Sequence, residues 1–589
     1  MDARASVGMD SWQAKRLLNK FVKRALVLRA EEGREEMYRQ MLDRLADLSQ
    51  KVQAHRVWNS QTVEASHGIE KSWEVEEEGL CKLLHAMADA VEHVDEEKHM
   101  ELLHALAKLS CWKLPTKMAQ AHLDLIVELA ACQAQQVPFA LQVLVRNFVP
   151  PLDSTWTDHS LQEDVETSVG EAWVPHPDGF RVLELVLNKV HEIVEMDPSS
   201  LGTLLPMLIN QFPHAEQNRD AHCYYLCGVM QLAESNAGKP IRARLLAAIL
   251  ENILHIEFHM NWQVFEMEEE EWDTEDVHMH MIGEPDRPQD ELTDQIGDRR
   301  FPDGRDTDEI NGTPKKDTRD NVHDQKRLAL ATADKLDSTM ELLFGHLLRQ
   351  LHAGHLEELL QVITQFMKHT VLPTRCSRIV HYVVFLLGRH SPARTCECFQ
   401  ILLLQGMLGE DSPREMRLSC ACYLASYLAR AAFLPVLQLV SVLGTLCNWC
   451  VSYLDQLEKK GSHSPELKTS DHLVFYTCCH CILYTLCYKM KVVLNDTEGA
   501  KMIAESVQRI LKSALYPLQV CLQTVVDEFV SQATRSGMNH LLPSDSDIQE
   551  PMHRHLESAL NFFPYDHYVL ERSAAFLQLE NTCTQWERV

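Results

Sequence analysis

Glycine is scarce in this sequence, with 22 residues among 589, and aromatic residues make up only 7%. Several catalytic motifs are also missing. There is no Walker phosphate loop, no G-x-G-x-x-G after a strand, no G-x-S-x-G and no H-E-x-x-H. An enzyme built on this chain would therefore need a site assembled from scattered residues, which a sequence pattern does not reveal.

Positive charge is in deficit. The chain has 56 Lys and Arg against 85 Asp and Glu, which gives a net charge of −29. Such a balance argues against broad binding of a phosphate backbone by the folded surface, because like charges repel. It leaves room for a small local basic patch. The acidic balance suits a protein partner with basic surfaces.

Long apolar runs are rare, and two regions matter for targeting. Met1 to Met9 has no apolar core, and the first predicted helix, about Ser11 to Ala30, is charged, so we expect no signal peptide. Ala431 to Leu454 has no charged residue and is long enough to span a bilayer. Because Pro435 and several polar residues interrupt it, we expect a core helix covered on both sides, and no membrane partner.

The sequence has 18 cysteines, mostly within apolar helical patterns, which indicates a reducing compartment. Cys447 and Cys450 have the C-x-x-C spacing, and Cys478, Cys479 and Cys481 follow some 30 residues later. A zinc site needs four converging ligands. Small buried cysteines are common in apolar helices, so we favour a core role and predict no metal. About one equivalent of zinc in the purified protein would restore an enzyme hypothesis.

Helix formers dominate what is present, and from Glu78 the apolar residues recur with a helical period. After the middle of the chain, Pro373, Pro392, Pro413 and Pro435 are predicted helix starts, spaced by 19, 21 and 22 residues. A pair of helices then takes about 40 residues, the period of HEAT-type repeats. The sequence therefore predicts an all-α fold, a HEAT-type helical-repeat superhelix (α-solenoid) interrupted by an acidic disordered loop.

The acidic loop is the strongest boundary signal. Glu266 to Asp324 holds 21 Asp or Glu against 7 Lys or Arg, and it is poor in large apolar residues. Such composition buries too little apolar surface to offset the entropy of ordering. We divide the chain into a charged helical extension 1–77, a first array 78–262 with an acidic linker 150–177, the acidic disordered loop 263–324, a second array 325–535, and a C-terminal tail 536–589.

Seven segments carry a family resemblance, and they occur in a fixed order around the acidic loop. They are Val145–Pro151, Leu205–Pro213, Cys223–Tyr225, Tyr427–Pro435, Tyr516–Leu522, Phe562–Asp566 and Val569–Ser573. In this order the chain, over about Glu78 to Ser573, resembles the RNA polymerase I-specific initiation factor family called TIF-IA. Ala574 and Ala575 depart from the basic residues usual there, and the first 75 residues match nothing in the family pattern.

The resemblance implies a HEAT-repeat protein without enzymatic activity or cofactor. It implies binding to the stalk side of RNA polymerase I, bridging to promoter-bound core factor on ribosomal RNA genes, and residence in the nucleus and nucleolus. It implies no direct sequence-specific nucleic-acid binding, and it allows a homodimer when the factor is free. An alternative with the same architecture is a generic helical-repeat adaptor, such as a transport receptor or a phosphatase scaffold.

Three serines are candidate partner-binding residues, because the resemblance implies a serine-containing polymerase contact that phosphorylation switches. Ser199 and Ser200 follow Asp197 in a predicted turn that should expose both hydroxyls, and Ser110 lies at the end of the helix that starts at Met100. One of the paired serines is alternatively an N-cap. In the tail, the aromatic residues of Phe562–Asp566 are predicted to anchor it on the second array.

Overall fold

The computed structural model describes residues 3–61, 70–151, 171–266, 317–375, 377–459, 469–542, 562–566 and 568–584. Every named element in these ranges is helical, and an isolated antiparallel bridge joins Ala431 to Cys583. Successive helices pack against their neighbours along the chain, as in a repeat array. The all-α helical-repeat fold predicted from the sequence is confirmed.

The α-helices are numbered in chain order. Those before the acidic stretch are α1 Ala3–Glu32, α2 Glu36–Gln61, α3 Glu70–Ala88, α4 Met100–Lys108, α5 Thr116–Cys132, α6 Val137–Arg146, α7 Pro177–Met196, α8 Leu201–Asn210, α9 Arg219–Glu234, α10 Arg242–Phe258 and α11 Trp262–Glu266. Those after it are α12 Asp317–His352, α13 Leu356–Phe366, α14 Leu372–Thr374, α15 Val383–His390, α16 Pro392–Leu408, α17 Arg414–Arg430, α18 Val436–Lys459, α19 Leu473–Leu494, α20 Thr497–Leu511, α21 Pro517–Val520, α22 Gln523–Arg535, α23 Glu571–Leu577 and α24 Leu579–Thr582.

The first three helices belong to the first array. Helix α1 packs on α2 and α3, and α3 packs on α5, so the stack continues from the N-terminal region into the array. Val22, Leu26, Leu45 and Leu84 are all buried in this stack. The region 1–77, predicted as a charged helical extension, thus packs on the first array through its helices. The apolar stripe of each helix needs a neighbouring helix to cover it.

Two predicted loop boundaries also differ from the structure. Helix α3 begins at Glu70, before the helical period that the sequence shows from Glu78, and α12 begins at Asp317, eight residues before the predicted start of the second array. Each residue added to an existing helix gains one hydrogen bond, whereas the first turn must order several residues for a single bond. A helix that has formed therefore extends readily beyond the part of it that packs against other helices. The remainder of the predicted acidic loop, 267–316, and most of the linker, 152–170, lie outside the described residues.

Proline marks helix starts at three of the four predicted places. Helices α16, α17 and α18 begin at or directly after Pro392, Pro413 and Pro435. Pro373 instead lies near the end of a helical segment, after a π-helical turn at Met367–Val371 that joins α13 to α14. The wider π-helical turn changes the hydrogen-bond pattern just before the proline, which has no N–H to donate.

Two helices, α18 and α19, are long and apolar enough to cross a membrane by length and composition. Helix α19 is buried for 89% of its most apolar window, but α18 is buried for 44%, and Leu437 is largely exposed. The prediction that the uncharged run is covered on both sides is therefore wrong for α18. It packs on α16, α19 and α20, and α19 is the more fully buried helix of the two.

The helices on either side of the acidic stretch pack directly on each other, because α9 contacts α12 and α10 contacts α13. A buried carboxylate reinforces this seam. Glu257 of α10 accepts hydrogen bonds from the backbone N–H groups of Arg378, Ile379 (2.9 Å) and Val380 (3.2 Å). Burial raises the pKa of Glu257, and the N–H donors oppose that rise. The two arrays are thus joined by a buried polar contact.

A second polar cluster ties the C-terminal segment to the same seam. Asp334 of α12 accepts from Arg219 of α9 at 2.8 Å and from Arg572 of α23 at 2.7 Å. Arg572 also donates to Glu341 at 3.0 Å, and its backbone N–H donates to Asp337 at 3.0 Å. Helix α12 therefore connects the first array, the second array and the end of the chain.

The C-terminal tail docks on the second array through Tyr565, which is fully buried. Its ring lies 4.4 Å from the ring centre of Phe385 and 4.7 Å from that of His381. His381 Nε2 bonds the carbonyl of Pro564 at 2.7 Å. Phe562 and Phe563 are half-buried on the rim. The predicted docking is confirmed, with Tyr565 as the buried anchor.

Candidate functional site

Ser199 lies in a 3₁₀ turn, Pro198–Ser200, between α7 and α8. Its hydroxyl is exposed and donates to Asp197 Oδ1 at 2.6 Å, while its backbone N–H donates to the same oxygen at 3.0 Å. The capping side chain of this turn is therefore Asp197. Neither serine is the side-chain cap that the sequence suggested as an alternative.

Ser200 faces inward. It is 3% exposed, and its hydroxyl has no hydrogen-bond partner within the described part of the chain. The prediction that the turn exposes both hydroxyls is wrong for Ser200, because successive residues of a 3₁₀ turn point about 120° apart. Within the folded chain only Ser199 of this pair can be reached by a kinase or a partner.

Ser110 lies two residues beyond the end of α4, at the start of a short 3₁₀ turn, Cys111–Lys113. It lines an open groove with a volume of about 370 Å³. Segments from three parts of the first array form this groove: the end of α4, the end of α6 and the chain after α8. Its walls include Lys108, Ser110, Arg146, Asn147, Phe212 and His214.

The groove brings together two of the segments that carry the family resemblance, Val145–Pro151 and Leu205–Pro213. Asn147 fixes their arrangement. Its side-chain oxygen accepts from the N–H of Cys111 at 2.9 Å, and its backbone carbonyl accepts from Trp112 Nε1 at 3.0 Å. This residue therefore holds the Ser110 turn against the end of α6.

The two tyrosines of the Cys223–Tyr225 segment pack against residues that form or adjoin the groove. Tyr225 donates its hydroxyl to the carbonyl of Leu208 at 2.5 Å, and its ring packs 5.0 Å from that of Phe212. Tyr224 packs edge-on against Trp112 at 5.1 Å. These aromatic contacts hold the walls of the groove in place.

Cationic side chains dominate the rim of the groove. Lys108 and Arg146 are exposed there, and His214 is exposed on the opposite wall. No motif in the sequence indicated this grouping, because Lys108 and Arg146 are 38 residues apart. Arg146 lies inside one resemblance segment and His214 directly follows another, whereas Lys108 lies near none of them.

Ser110 and Ser199 are not brought into one site. Ser199 precedes the first residue of α8, and the groove begins after its last residue. At 1.5 Å per residue, a helix of 10 residues separates them by about 15 Å. A partner touching both serines would therefore cover the whole length of α8.

The cysteines lie in the core of the second array, as predicted. Cys447, Cys450, Cys478, Cys479 and Cys481 are all at most 1% exposed. Burial raises the pKa of the Cys447 thiol to about 12. Within the described residues no group of three or more His, Cys, Asp or Glu side chains is placed to hold a metal ion.

The solved structure of a related fold matches almost the whole chain. The crystal structure of the RNA polymerase I transcription initiation factor Rrn3 covers 97% of this chain and 98% of its own, with a TM-score of 0.65 and 16% identity. At this identity the match supports the fold.

Curated relatives carry the same description. The chain is 23% identical over 504 residues to the RNA polymerase I-specific transcription initiation factor RRN3 of Mus musculus, covering 81% of this chain and 71% of that protein. It is 26% identical over 257 residues to rrn3 of Schizosaccharomyces pombe, covering 41% and 42%. These names describe initiation factors rather than enzymes.

A family model described as "RNA polymerase I specific transcription initiation factor RRN3" matches residues 13–589. The match includes α2, most of α1 and the residues after Ser573, beyond the limits of the resemblance seen in the sequence. The resemblance itself is confirmed, and this chain belongs to the RNA polymerase I-specific transcription initiation factor RRN3 family.

Proposed function

We propose that this chain is a non-enzymatic initiation factor that binds RNA polymerase I at its stalk side and bridges it to promoter-bound core factor. The observation that supports the proposal is the family match over residues 13–589. The fold suits the role, because a helical-repeat array presents a long continuous surface. In this proposal the factor works in the nucleolus, needs no cofactor and forms a homodimer when it is free of polymerase.

The polymerase contact would lie on the surface of the first array that includes Ser199, α8 and the groove beside Ser110. Lys108 and Arg146 give the groove a positive rim, which would pair with acidic residues of the polymerase. Phosphorylation would regulate the contact, because a phosphate adds about −1.5 to −2 charges at a site that must desolvate on binding.

Affinity purification of the full chain tests the proposal. We expect RNA polymerase I subunits to co-purify, and the double variant Lys108→Glu/Arg146→Glu to reduce their recovery about tenfold, which corresponds to about 1.4 kcal/mol. The matched control is Arg244→Glu/Lys501→Glu, which replaces one exposed basic residue of the first array and one of the second. Recovery of no polymerase by a folded wild-type chain would refute the proposal.

Ser199→Asp tests the phosphorylation switch. We expect capture of polymerase I to fall about tenfold. The circular dichroism spectrum should stay unchanged, because the Asp197 cap to the N–H of residue 199 does not require the serine hydroxyl. Ser199→Ala should capture polymerase like the wild type. Ser452→Asp, at an exposed serine of α18, is the control for added charge.

Ser200→Asp is expected to behave differently, since it would place a carboxylate at a position that is 3% exposed. We expect Ser200→Asp to lower the free energy of unfolding, so that any loss of binding would follow from loss of the fold.

Equal capture by Ser199→Asp and wild type would remove Ser199 from the interface and leave Ser110 as the remaining candidate.

A further inference from the structure

Helix α1 has a charge opposite to that of the rest of the chain. Between Ser11 and Ala30 the sequence has six Lys or Arg residues and no Asp or Glu, within a chain of net charge −29. At physiological salt the Debye length is about 8 Å, so acidic residues elsewhere on a molecule of this size do not cancel the local field of a helix face.

Three of these six basic residues share one face of α1, whereas Lys15 and Arg29 are each seven residues from the buried Val22 and lie on its side. Val22 and Leu26 are buried against α2 and α3, and the opposite face exposes Arg16, Lys20 and Arg24 at intervals of four residues. This spacing aligns side chains along the helix at about 6 Å per step. The result is a straight row of positive charges on a convex, solvent-facing surface.

Contacts within the chain occupy some of the basic residues of α1, because Arg29 pairs with Glu35 and Arg16 also has a partner. Lys23 pairs with Glu92 at 3.3 Å, and both side chains are more than half exposed. Lys15, Lys20 and Arg24 form no hydrogen bond or ion pair within the described residues. An open cleft of about 550 Å³ runs between this face and the turn after α3. The positive face is therefore available to a ligand that can reach along a helix.

We propose that the exposed face of α1 binds the phosphate backbone of nucleic acid without reading its sequence. An exposed ion pair with a protein carboxylate contributes only about 0–1 kcal/mol. Among the described side chains of α1, this face exposes one large apolar residue, Leu17, and offers no cluster of the apolar anchors typical of a protein interface.

A nucleic acid presents a denser and more regular row of negative charges than a folded protein surface does. Duplex DNA has one negative charge per about 1.7 Å, so the 12 Å from Arg16 to Arg24 faces about seven phosphates, and counterion release drives the binding. The contact is separate from the proposed polymerase contact, which lies on α8 and the groove beside Ser110. It would hold an initiation factor beside its template through charge alone.

Fluorescence anisotropy with a fluorescein-labelled 20-base-pair duplex of arbitrary sequence tests this proposal on the full chain. We compare the wild type with the variant Arg16→Gln/Lys20→Gln/Arg24→Gln between 50 and 200 mM NaCl. Each lost phosphate contact lowers the slope of log K against log salt by about 0.9, so we expect the slope to fall by about 2.7. The Kd at 50 mM NaCl should rise at least tenfold.

The matched control is Arg244→Gln/Lys501→Gln/Lys512→Gln, which removes the same net charge from exposed positions on α10, on α20 and directly after α20. It should bind the duplex like the wild type, and Arg16→Lys/Lys20→Arg/Arg24→Lys should do so as well. Equal weakening by the control, or no measurable duplex binding by the wild type at 50 mM NaCl, would overturn the proposal. A labelled 20-residue polyglutamate bound as tightly as the duplex would also overturn it, because the partner would then be an acidic polypeptide.

Discussion

Replacing Tyr565 with alanine is expected to lower the free energy of unfolding by about 3–5 kcal/mol, because the ring is fully buried among aromatic residues. Tyr382 and Phe385 lie with ring centres 5.3 and 4.4 Å from it, and Tyr423 lies 6.0 Å away. Loss of the ring leaves a cavity that these neighbours cannot fill. Urea unfolding followed by circular dichroism measures the change in midpoint.

Tyr565→Phe is the matched control, and we expect it to leave the free energy of unfolding unchanged or to raise it. The Tyr565 hydroxyl is buried and has no hydrogen-bond partner within the described residues. Removing a buried unpaired hydroxyl is neutral or stabilising by about 1 kcal/mol. Phe562→Ala should cost less than Tyr565→Ala because Phe562 is only half-buried. A wild-type midpoint for Tyr565→Ala would show that the tail does not dock in solution.

Arg572→Ala is expected to lower the free energy of unfolding by about 3–5 kcal/mol, because it leaves Asp337 and Glu341 without their ion-pair partner and leaves Asp334 with Arg219 alone. Arg572 is 12% exposed, and its partners Asp334, Asp337 and Glu341 are 11%, 7% and 20% exposed. The uncompensated negative charges then repel one another in a poorly solvated place. The urea midpoint should fall while the slope of the transition is unchanged.

Arg572→Lys should recover only part of the loss, because an ammonium group cannot reproduce the fork of the guanidinium. The guanidinium donates to Asp334 Oδ1 at 2.7 Å and to the Asp334 carbonyl at 3.0 Å. Arg394→Ala, which breaks an exposed ion pair with Glu357, serves as a control and should leave the midpoint unchanged. Equal midpoints for Arg572→Ala and Arg394→Ala would mean that the seam does not depend on this cation.

The helices could be predicted from the sequence because their apolar residues recur at helical spacing, and the tail because its aromatic residues cluster around a proline. The seam could not. Glu257 and Ser377 are 120 residues apart, and Arg572 and Asp334 are 238 apart. Local periodicity gives no information on which charged residues meet across such distances.

The candidate site shows the same limit on a smaller scale. The position of the turn at Asp197–Ser200 follows from its residues, but the direction of each serine side chain depends on the 3₁₀ geometry, which buries Ser200. The groove beside Ser110 needs the packing of α4, α6 and α8 before Lys108 and Arg146 become neighbours. The sequence predicts a charged extension that includes α1, because basic residues outnumber the few apolar residues that α1 buries against its neighbours.

The docked tail has a consequence for how the protein is made. Translation reaches residues 562–584 more than 200 residues after Asp334 of α12, which at about 5–20 residues per second is a delay of tens of seconds. Until then the nascent second array exposes Tyr382, Phe385 and Tyr427, and the acidic side chains of α12 lack Arg572. A premature stop codon before residue 562 would leave those aromatic residues uncovered permanently, and chaperones and proteases would remove the product.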